Sequence, residues 1–260
     1  MIDDPSETLA ARARGLNRKY AGQGARAILE GAINAEFPRG AISLVSSFGA
    51  ESAVLLDLVA KIDPALDVVF IDTLKHFPET YAYLDTLRRR FQLTSLRLVR
   101  PDPVDLARTD VNGNLHRENP DRCCFTRRVL PLERSLAGKT AWISGRKRFQ
   151  SAVRSELEVF EAADGRIKVN PLAPWSREAL RDYFAARRLP RHPLSAKGFL
   201  SIGCAPCTIA ADTSGRAGRW AGFGKTECGI HLGVPDAGAA AGLGARETAE
   251  KVHETFAASA

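Results

Sequence analysis

The chain has 260 residues, 45% of them hydrophobic and 26% charged, with a formal net charge of +7. This composition is that of a globular protein, one large domain or a domain with an appendage, able to bury a core without disulfides. The opening MIDDPSETLAARARGLNRKY begins acidic and lacks an apolar core, and runs such as AVLLDLVAKI are too short to cross a bilayer. A signal peptide and a membrane span are therefore excluded from the reading, a cytoplasmic location is expected, and the cysteines are expected to be reduced or metal-bound.

In chain order, the run 41–47 reads as a buried strand, 53–62 as a helix packed on a sheet, and 66–72 as a second strand after the Pro64 turn. That is a βαβ unit of a parallel sheet. ETYAYLDTLRRRF, 79–91, predicts a helix with Tyr83, Leu84, Leu87 and Phe91 on its inner face. Runs 95–100 and 140–145 predict further strands, and a polar loop between them leads into a helix from Arg122 to Leu136. Ser176 is placed to cap a helix over 176–188. Beyond about residue 190 regular patterning fades. Alternating strands and helices define an α/β protein with a parallel or mostly parallel sheet.

SSFGAES, 46–52, sits where the first strand hands over to a helix. Ser46, Ser47 and Ser52 bring hydroxyls, Gly49 brings backbone freedom, and the helix start offers N–H groups to a small anion. Neither a G-x-x-x-x-G-K-[ST] loop nor a G-x-G-x-x-G fingerprint is present. Asp72 and Thr73 end the second strand, at the edge where open parallel sheets bind ligands, with Lys75 and His76 beyond them. Arginine clusters at 88–90, 127–128, 146–148 and 187–191, with Arg216 and Arg219, suit a polyanionic partner. Charge alone does not choose between nucleic acid and a small phosphate- or sulfate-bearing ligand.

Cys123 and Cys124 are adjacent, Cys204 and Cys207 form C-x-x-C, and Cys228 stands apart in TECGIH. Four thiolates in two pairs suit tetrahedral zinc or an iron–sulfur cluster. Adjacent ligands reach different irons of a cluster more easily than one small ion, and a redox C-x-x-C is a further reading. Cys228 lies on a glycine-bearing segment with Arg216, Arg219, Lys225 and His231 near in sequence. Such cations lower a thiol pKa and suit a covalent nucleophile.

Taken in order, SSFGAES, FIDT…HFPET, DRCCFTRRV, SGRKRFQS, CAPC, GRAGRW and ECGIH resemble the assimilatory adenylyl-sulfate (APS) and phosphoadenylyl-sulfate (PAPS) reductases. The resemblance implies an adenine nucleotide α-hydrolase-like (PP-loop) parallel-sheet domain over 1–200 with N-terminal helices. It further implies a cluster-ligand and catalytic segment over 201–232 and a flexible tail over 233–260. It implies a [4Fe–4S] cluster on Cys123, Cys124, Cys204 and Cys207, and Cys228 as the nucleophile that forms an S-sulfonate. Arg216, Arg219 and His231 take catalytic roles, and Ser46, Ser47, Phe48, Gly49, Ser52, Asp72, Thr73, Arg148 and Gln150 bind substrate.

The implied activity is thioredoxin- or glutaredoxin-dependent reduction of adenylyl sulfate to sulfite and AMP, in sulfate assimilation and cysteine biosynthesis. No nucleic-acid or membrane partner is implied, and self-association is left open. Where Arg-Lys often follows the cysteine pair, this chain has Arg127–Arg128. The rivals are a PAPS or dual-substrate reductase, a PP-loop RNA sulfurtransferase, and a zinc-bound nucleic-acid module. SSFGAES lacks the second glycine and the aspartate of an S-G-G-x-D-S loop, which counts against the sulfurtransferase.

Overall fold

Six short segments pair as strands, the central ones apolar as a sheet covered on both faces requires. They are Ile42–Val45 (β1), Val68–Ile71 (β2), Leu96–Val99 (β3), Ala141–Ile143 (β4), Phe160–Ala163 (β5) and Arg166–Val169 (β6). The computed structural model describes residues 5–211, 216, 218–220, 223–225 and 227–231. In it the strands form one sheet of order β3-β2-β1-β4-β6-β5. All neighbouring pairs are parallel except β5 with β6. The expected tail over 233–260 lies outside the described residues.

The helices are Pro5–Lys19 (α1), Ala25–Gly31 (α2), Ser52–Ala60 (α3), Pro78–Phe91 (α4), Pro103–Thr109 (α5), Leu115–Glu118 (α6), Pro120–Cys124 (α7), Leu130–Ser135 (α8) and Arg177–Ala186 (α9). Every residue of α3 from Ala53 to Val59 is buried, as a helix apolar on all sides must be. Its buried Asp57 is matched by Lys61, 2.5 Å away, and the Tyr183 hydroxyl, 2.7 Å away. Pro78 opens α4, and Tyr83, Leu84, Leu87 and Phe91 face the core as the periodicity predicts. Ser176 caps α9 by accepting from the Ala179 N–H at 3.1 Å.

The helix expected over 122–136 runs without a break through α7 and α8, and its middle, Phe125–Val129, is wound as a π-helix. Pro131 has no N–H to give an unbroken α-ladder, and the turns before it widen. The β5–β6 hairpin is an addition to the expected sheet. Asp164 and Gly165 turn it with φ of 53° and 69°, the left-handed pair of a tight hairpin turn. At the hairpin's outer edge the Asn17 side chain on α1 pairs with one residue's main chain. Its Nδ2 donates to the Phe160 carbonyl at 2.8 Å, and its Oδ1 accepts the Phe160 N–H at 3.0 Å. Among the described residues no helix is long and apolar enough to cross a membrane.

Candidate active site

β1 delivers the chain into the loop 46–51 at the C-terminal edge of the sheet, and α3 follows. Ser46 Oγ accepts the Phe48 N–H at 3.3 Å. Phe48 adopts φ 48°, held there by burial and an edge-on contact with Phe70, ring centroids 5.5 Å apart. A side chain at Gly49 would place its first carbon 3.1 Å from the Ile202 carbonyl, so the glycine lets segment 200–202 close over the loop.

Ser46, Ser47, Gly49 and Ser52 line a deep cleft with seven cationic side chains: Arg128, Arg146, Lys147, Arg154, Arg177, Arg216 and Arg219. Glu51 is a carboxylate on the same lining, and it receives Lys147 Nζ at 2.6 Å and Gln150 Nε2 at 2.8 Å. A cleft so lined raises the local concentration of anions and holds them.

Cys228 and His231 project into this cleft from the C-terminal segment. Arg128 Nη1 donates to Cys228 Sγ at 3.2 Å. The Cys228 thiol is held well below the ordinary thiol range, first by a hydrogen bond from the Cys124 thiol. Burial opposes this, and the Arg128 guanidinium and the Ile230 N–H add to it. The Cys124 contribution lasts only while that sulfur keeps its proton, whereas the Arg128 charge is permanent.

His231 stacks on Trp142, centroids 5.7 Å apart and planes 9° apart. Burial and the charges of Arg146, Arg154, Lys168 and Arg216 push its pKa well below 6.5, leaving a neutral imidazole. Its Nδ1 is buried without a hydrogen-bond partner among the described residues. Arg219 lies over the Trp220 ring at 4.4 Å and Arg216 at 5.2 Å. Burial depresses the pKa of both, that of Arg216 to about 10.

A second, smaller pocket lies behind Arg128. Cys123, Cys124, Cys204 and Cys207 all line it, with Thr73, Lys75, Arg127, Arg128, Arg219 and Trp220. All five cysteines are free thiols. Cys123 and Cys124 come from α7, and the π-helical stretch directs the next two arginines apart. Arg127 binds Asp110 Oδ2 at 2.8 and 2.6 Å and the Thr73 carbonyl at 2.9 Å, while Arg128 turns to Cys228.

The C-x-x-C arm is strapped to the loop after β2. Ala205 N donates to the Lys75 carbonyl at 2.7 Å, His76 and Cys204 form a β-bridge, and Thr73 Oγ1 lies 3.2 Å from Cys204 Sγ. Burial, and then the neighbouring Cys204, push the Cys123 thiol up to about 12 and raise Cys207 as well. Among the described residues no three His, Cys, Asp or Glu side chains converge as a single-ion site. The four thiols instead ring a pocket walled by Lys75, Arg127, Arg128 and Arg219. Those cations would offset the negative charge of a thiolate-ligated group held by the four cysteines.

The residues expected at the site divide accordingly. Ser46, Ser47, Gly49, Ser52, Gln150, Arg216, Arg219, Cys228 and His231 share the cleft, and Thr73 belongs to the cysteine pocket. Phe48 is packed in the core beneath the loop. Asp72 is off both linings and accepts from Tyr81 Oη at 2.6 Å, Leu74 N at 3.0 Å and Arg100 Nε at 3.0 Å. Arg148 turns away to the Leu157 carbonyl at 2.9 Å. Sequence reasoning named Arg146 and Lys147 only within the basic cluster 146–148, and it did not select Arg154, Arg177, Glu227 or Gly203.

A mostly parallel sheet with this loop at its C-terminal edge and an anion cleft above it defines a nucleotide-binding α/β protein of the PP-loop type. Residues 41–210 match the phosphoadenosine phosphosulfate reductase domain, and the chain belongs to that family. It is 48% identical over 233 residues to an adenosine 5'-phosphosulfate reductase of Mesorhizobium japonicum, covering 89% of this chain and 91% of the relative. It is 43% identical over 195 residues to a phosphoadenosine 5'-phosphosulfate reductase of Gloeobacter violaceus, covering 72% and 81%. The crystal structure of the phosphoadenylyl-sulfate reductase of Candida auris, a phosphate complex, superposes with a TM-score of 0.65 at 28% identity. That match covers 76% of this chain and 96% of that one.

Proposed function

We propose that this protein reduces adenylyl sulfate to sulfite and AMP, taking electrons from thioredoxin or glutaredoxin, in sulfate assimilation and cysteine biosynthesis. The observation that carries the reading is the meeting, in one cationic cleft, of the serine/glycine loop with Cys228 and its 3.2 Å contact to Arg128. The naming of the Mesorhizobium relative supports the adenylyl-sulfate assignment.

In the proposed step the Cys228 thiolate attacks the sulfate sulfur. A new S–S bond forms, the bond from sulfur to the phosphate oxygen breaks, and AMP leaves with that electron pair. Arg128, Arg216 and Arg219 offset the repulsion between thiolate and phosphosulfate and the charge growing on the leaving phosphate. The neutral His231 presents a ring nitrogen to the cleft as a hydrogen-bonding group for the sulfonate oxygens. Ser46, Ser47, Gly49 and Ser52 hold the phosphosulfate at the start of α3. A dithiol protein then attacks Cys228 Sγ, releases sulfite, and closes its own disulfide with its second thiol.

Cys123, Cys124, Cys204 and Cys207 would hold a [4Fe–4S] cluster in the pocket behind Arg128. When bound, that cluster supplies a polarisable charge that tunes the field at the cleft. Cys228→Ser leaves the reading testable in one assay: the wild type forms sulfite and a Cys228 S-sulfonate from adenylyl sulfate, and the variant forms neither. Sulfite formation by the variant would remove Cys228 from the mechanism. The Gloeobacter relative's name favours phosphoadenylyl sulfate as a second reading. Equal or greater kcat/KM on that substrate, with thioredoxin, would make it the correct one.

A further inference from the structure

Glu227 immediately precedes Cys228, and it is only 5% exposed. Arg154, itself 6% exposed, grips it with two parallel hydrogen bonds, Nε to Oε1 at 3.0 Å and Nη2 to Oε2 at 2.8 Å. Arg216 Nε stands 3.5 Å from the same Oε1. The remaining Arg154 nitrogen donates to Gln150 Oε1, and the Gln150 amide donates to Glu51 Oε2. A continuous line of polar contacts thus runs from the loop 46–51 to the residue before the nucleophile.

A buried carboxylate tolerates only fully paired positions, because leaving it desolvated and unpaired is strongly unfavourable. The C-terminal segment therefore has two accessible conditions at this point, gripped by Arg154 or opened to water, with nothing stable between them. The grip also draws on Arg154 and Arg216, two of the cations that line the cleft for an anionic ligand.

From this geometry we infer that Glu227 is a positioning residue, the latch that holds Cys228 inside the cleft against Arg128. The inference rests on the reading of Cys228 as the attacking thiol. Glu227 does not touch the reacting atoms; it fixes the main chain one residue before them. Two opposed consequences follow from removing its charge. The segment opens more often, so the chemical step slows. Arg154 loses the carboxylate it grips, so an anion in the cleft is held at least as tightly as before.

The test is alkylation of Cys228 in the whole, anaerobically purified protein by iodoacetamide, a neutral reagent, read by mass spectrometry of the Cys228 peptide. Reaction of a buried thiol follows the population of its open state. Glu227→Gln and Arg154→Met should each raise the rate about tenfold or more, and the double variant should be no faster than the faster single one. Glu227→Gln should bind AMP with unchanged or higher affinity by calorimetry, while kcat on adenylyl sulfate falls.

Unchanged alkylation in both single variants, multiplicative effects in the double variant, or loss of AMP affinity together with kcat would each overturn the latch. If either substitution impairs folding by circular dichroism, Gln150→Leu, one contact further back, should raise the rate in the same direction. Should no form of the protein reduce adenylyl sulfate while the alkylation pattern holds, the latch stands and the assigned reaction falls.

Discussion

Arg128 Nη1 lies 3.2 Å from Cys228 Sγ, and the same guanidinium lines the pocket that gathers the other four thiols. Arg128 is buried, its charge is held by the surrounding sulfurs, and its Nε has no partner among the described residues. Arg128, like Arg219, therefore lies on the wall between two chambers. Replacing it by methionine keeps the bulk and removes the cation facing both the thiolate and its anionic target. Arg128→Met should lower kcat/KM on adenylyl sulfate about 100-fold, the size of effect seen when one preorganised donor is removed from a transition state. A loss below threefold in steady-state kinetics would remove Arg128 from the chemistry.

Gly203 supplies a second prediction. A side-chain carbon placed there would lie 2.2 Å from the Arg219 guanidinium, so the absence of a side chain is what admits Arg219 to its buried seat. Gly203→Ala should displace Arg219 and depress turnover about tenfold, close to the effect of Arg219→Met and not additive with it. Measured kcat values that multiply in the double variant would contradict this.

The thiols should separate by chemistry. Cys204→Ser should lose iron and acid-labile sulfide, and the absorbance they bring, when purified without oxygen. Cys228→Ser should retain both. Full iron content in the Cys204 variant would take that residue off the ligand set.

His192 offers a pH-dependent stability that is independent of the site. Burial lowers its pKa to about 4, and its Nδ1 accepts the Leu194 N–H at 3.2 Å, a bond the protonated ring cannot accept. The unfolded chain takes up this proton near pH 6.5, the folded chain only near 4. The contribution is thus complete above pH 6.5 and is lost as pH falls toward 4, by ~3 kcal/mol at most. The gap in urea midpoint between wild type and His192→Gln should therefore narrow from pH 7.5 to 4.5. A constant gap would refute it.

The βαβ unit was legible because Ile42–Val45, the helix after it and Val68–Ile71 are short apolar segments separated by turn residues. The separation of Cys228, in the cationic cleft, from the four paired thiols, in one pocket, was legible because cysteine chemistry is concentrated in a few positions with telling spacing. The hairpin was not, although its Asp164–Gly165 turn is a strong local signal, because Glu161, Arg166 and Lys168 interrupt the apolar character of its two short strands. Lys168 illustrates the difficulty: a lysine in sequence suggests solvent, yet it is buried over Trp142 and paired with Asp164 at 3.0 Å. The cationic lining was legible only in part, as basic clusters without their direction. Arg146 and Arg148 differ little in sequence context, but one lines the cleft and the other holds a carbonyl. Asp72 was read from its place at a strand end, where ligand contact and structural capping look alike until Tyr81 and Arg100 are seen beside it.

Asn17 bears on where this protein can be cut. By spending both ends of its amide on Phe160, it occupies the bonding positions that a foreign strand would need to extend the sheet from β5. The family match begins at residue 41, after α1 and α2. An expression fragment trimmed to those bounds would carry an open, adhesive rim, so a soluble excised domain needs its first helix as much as its catalytic loop.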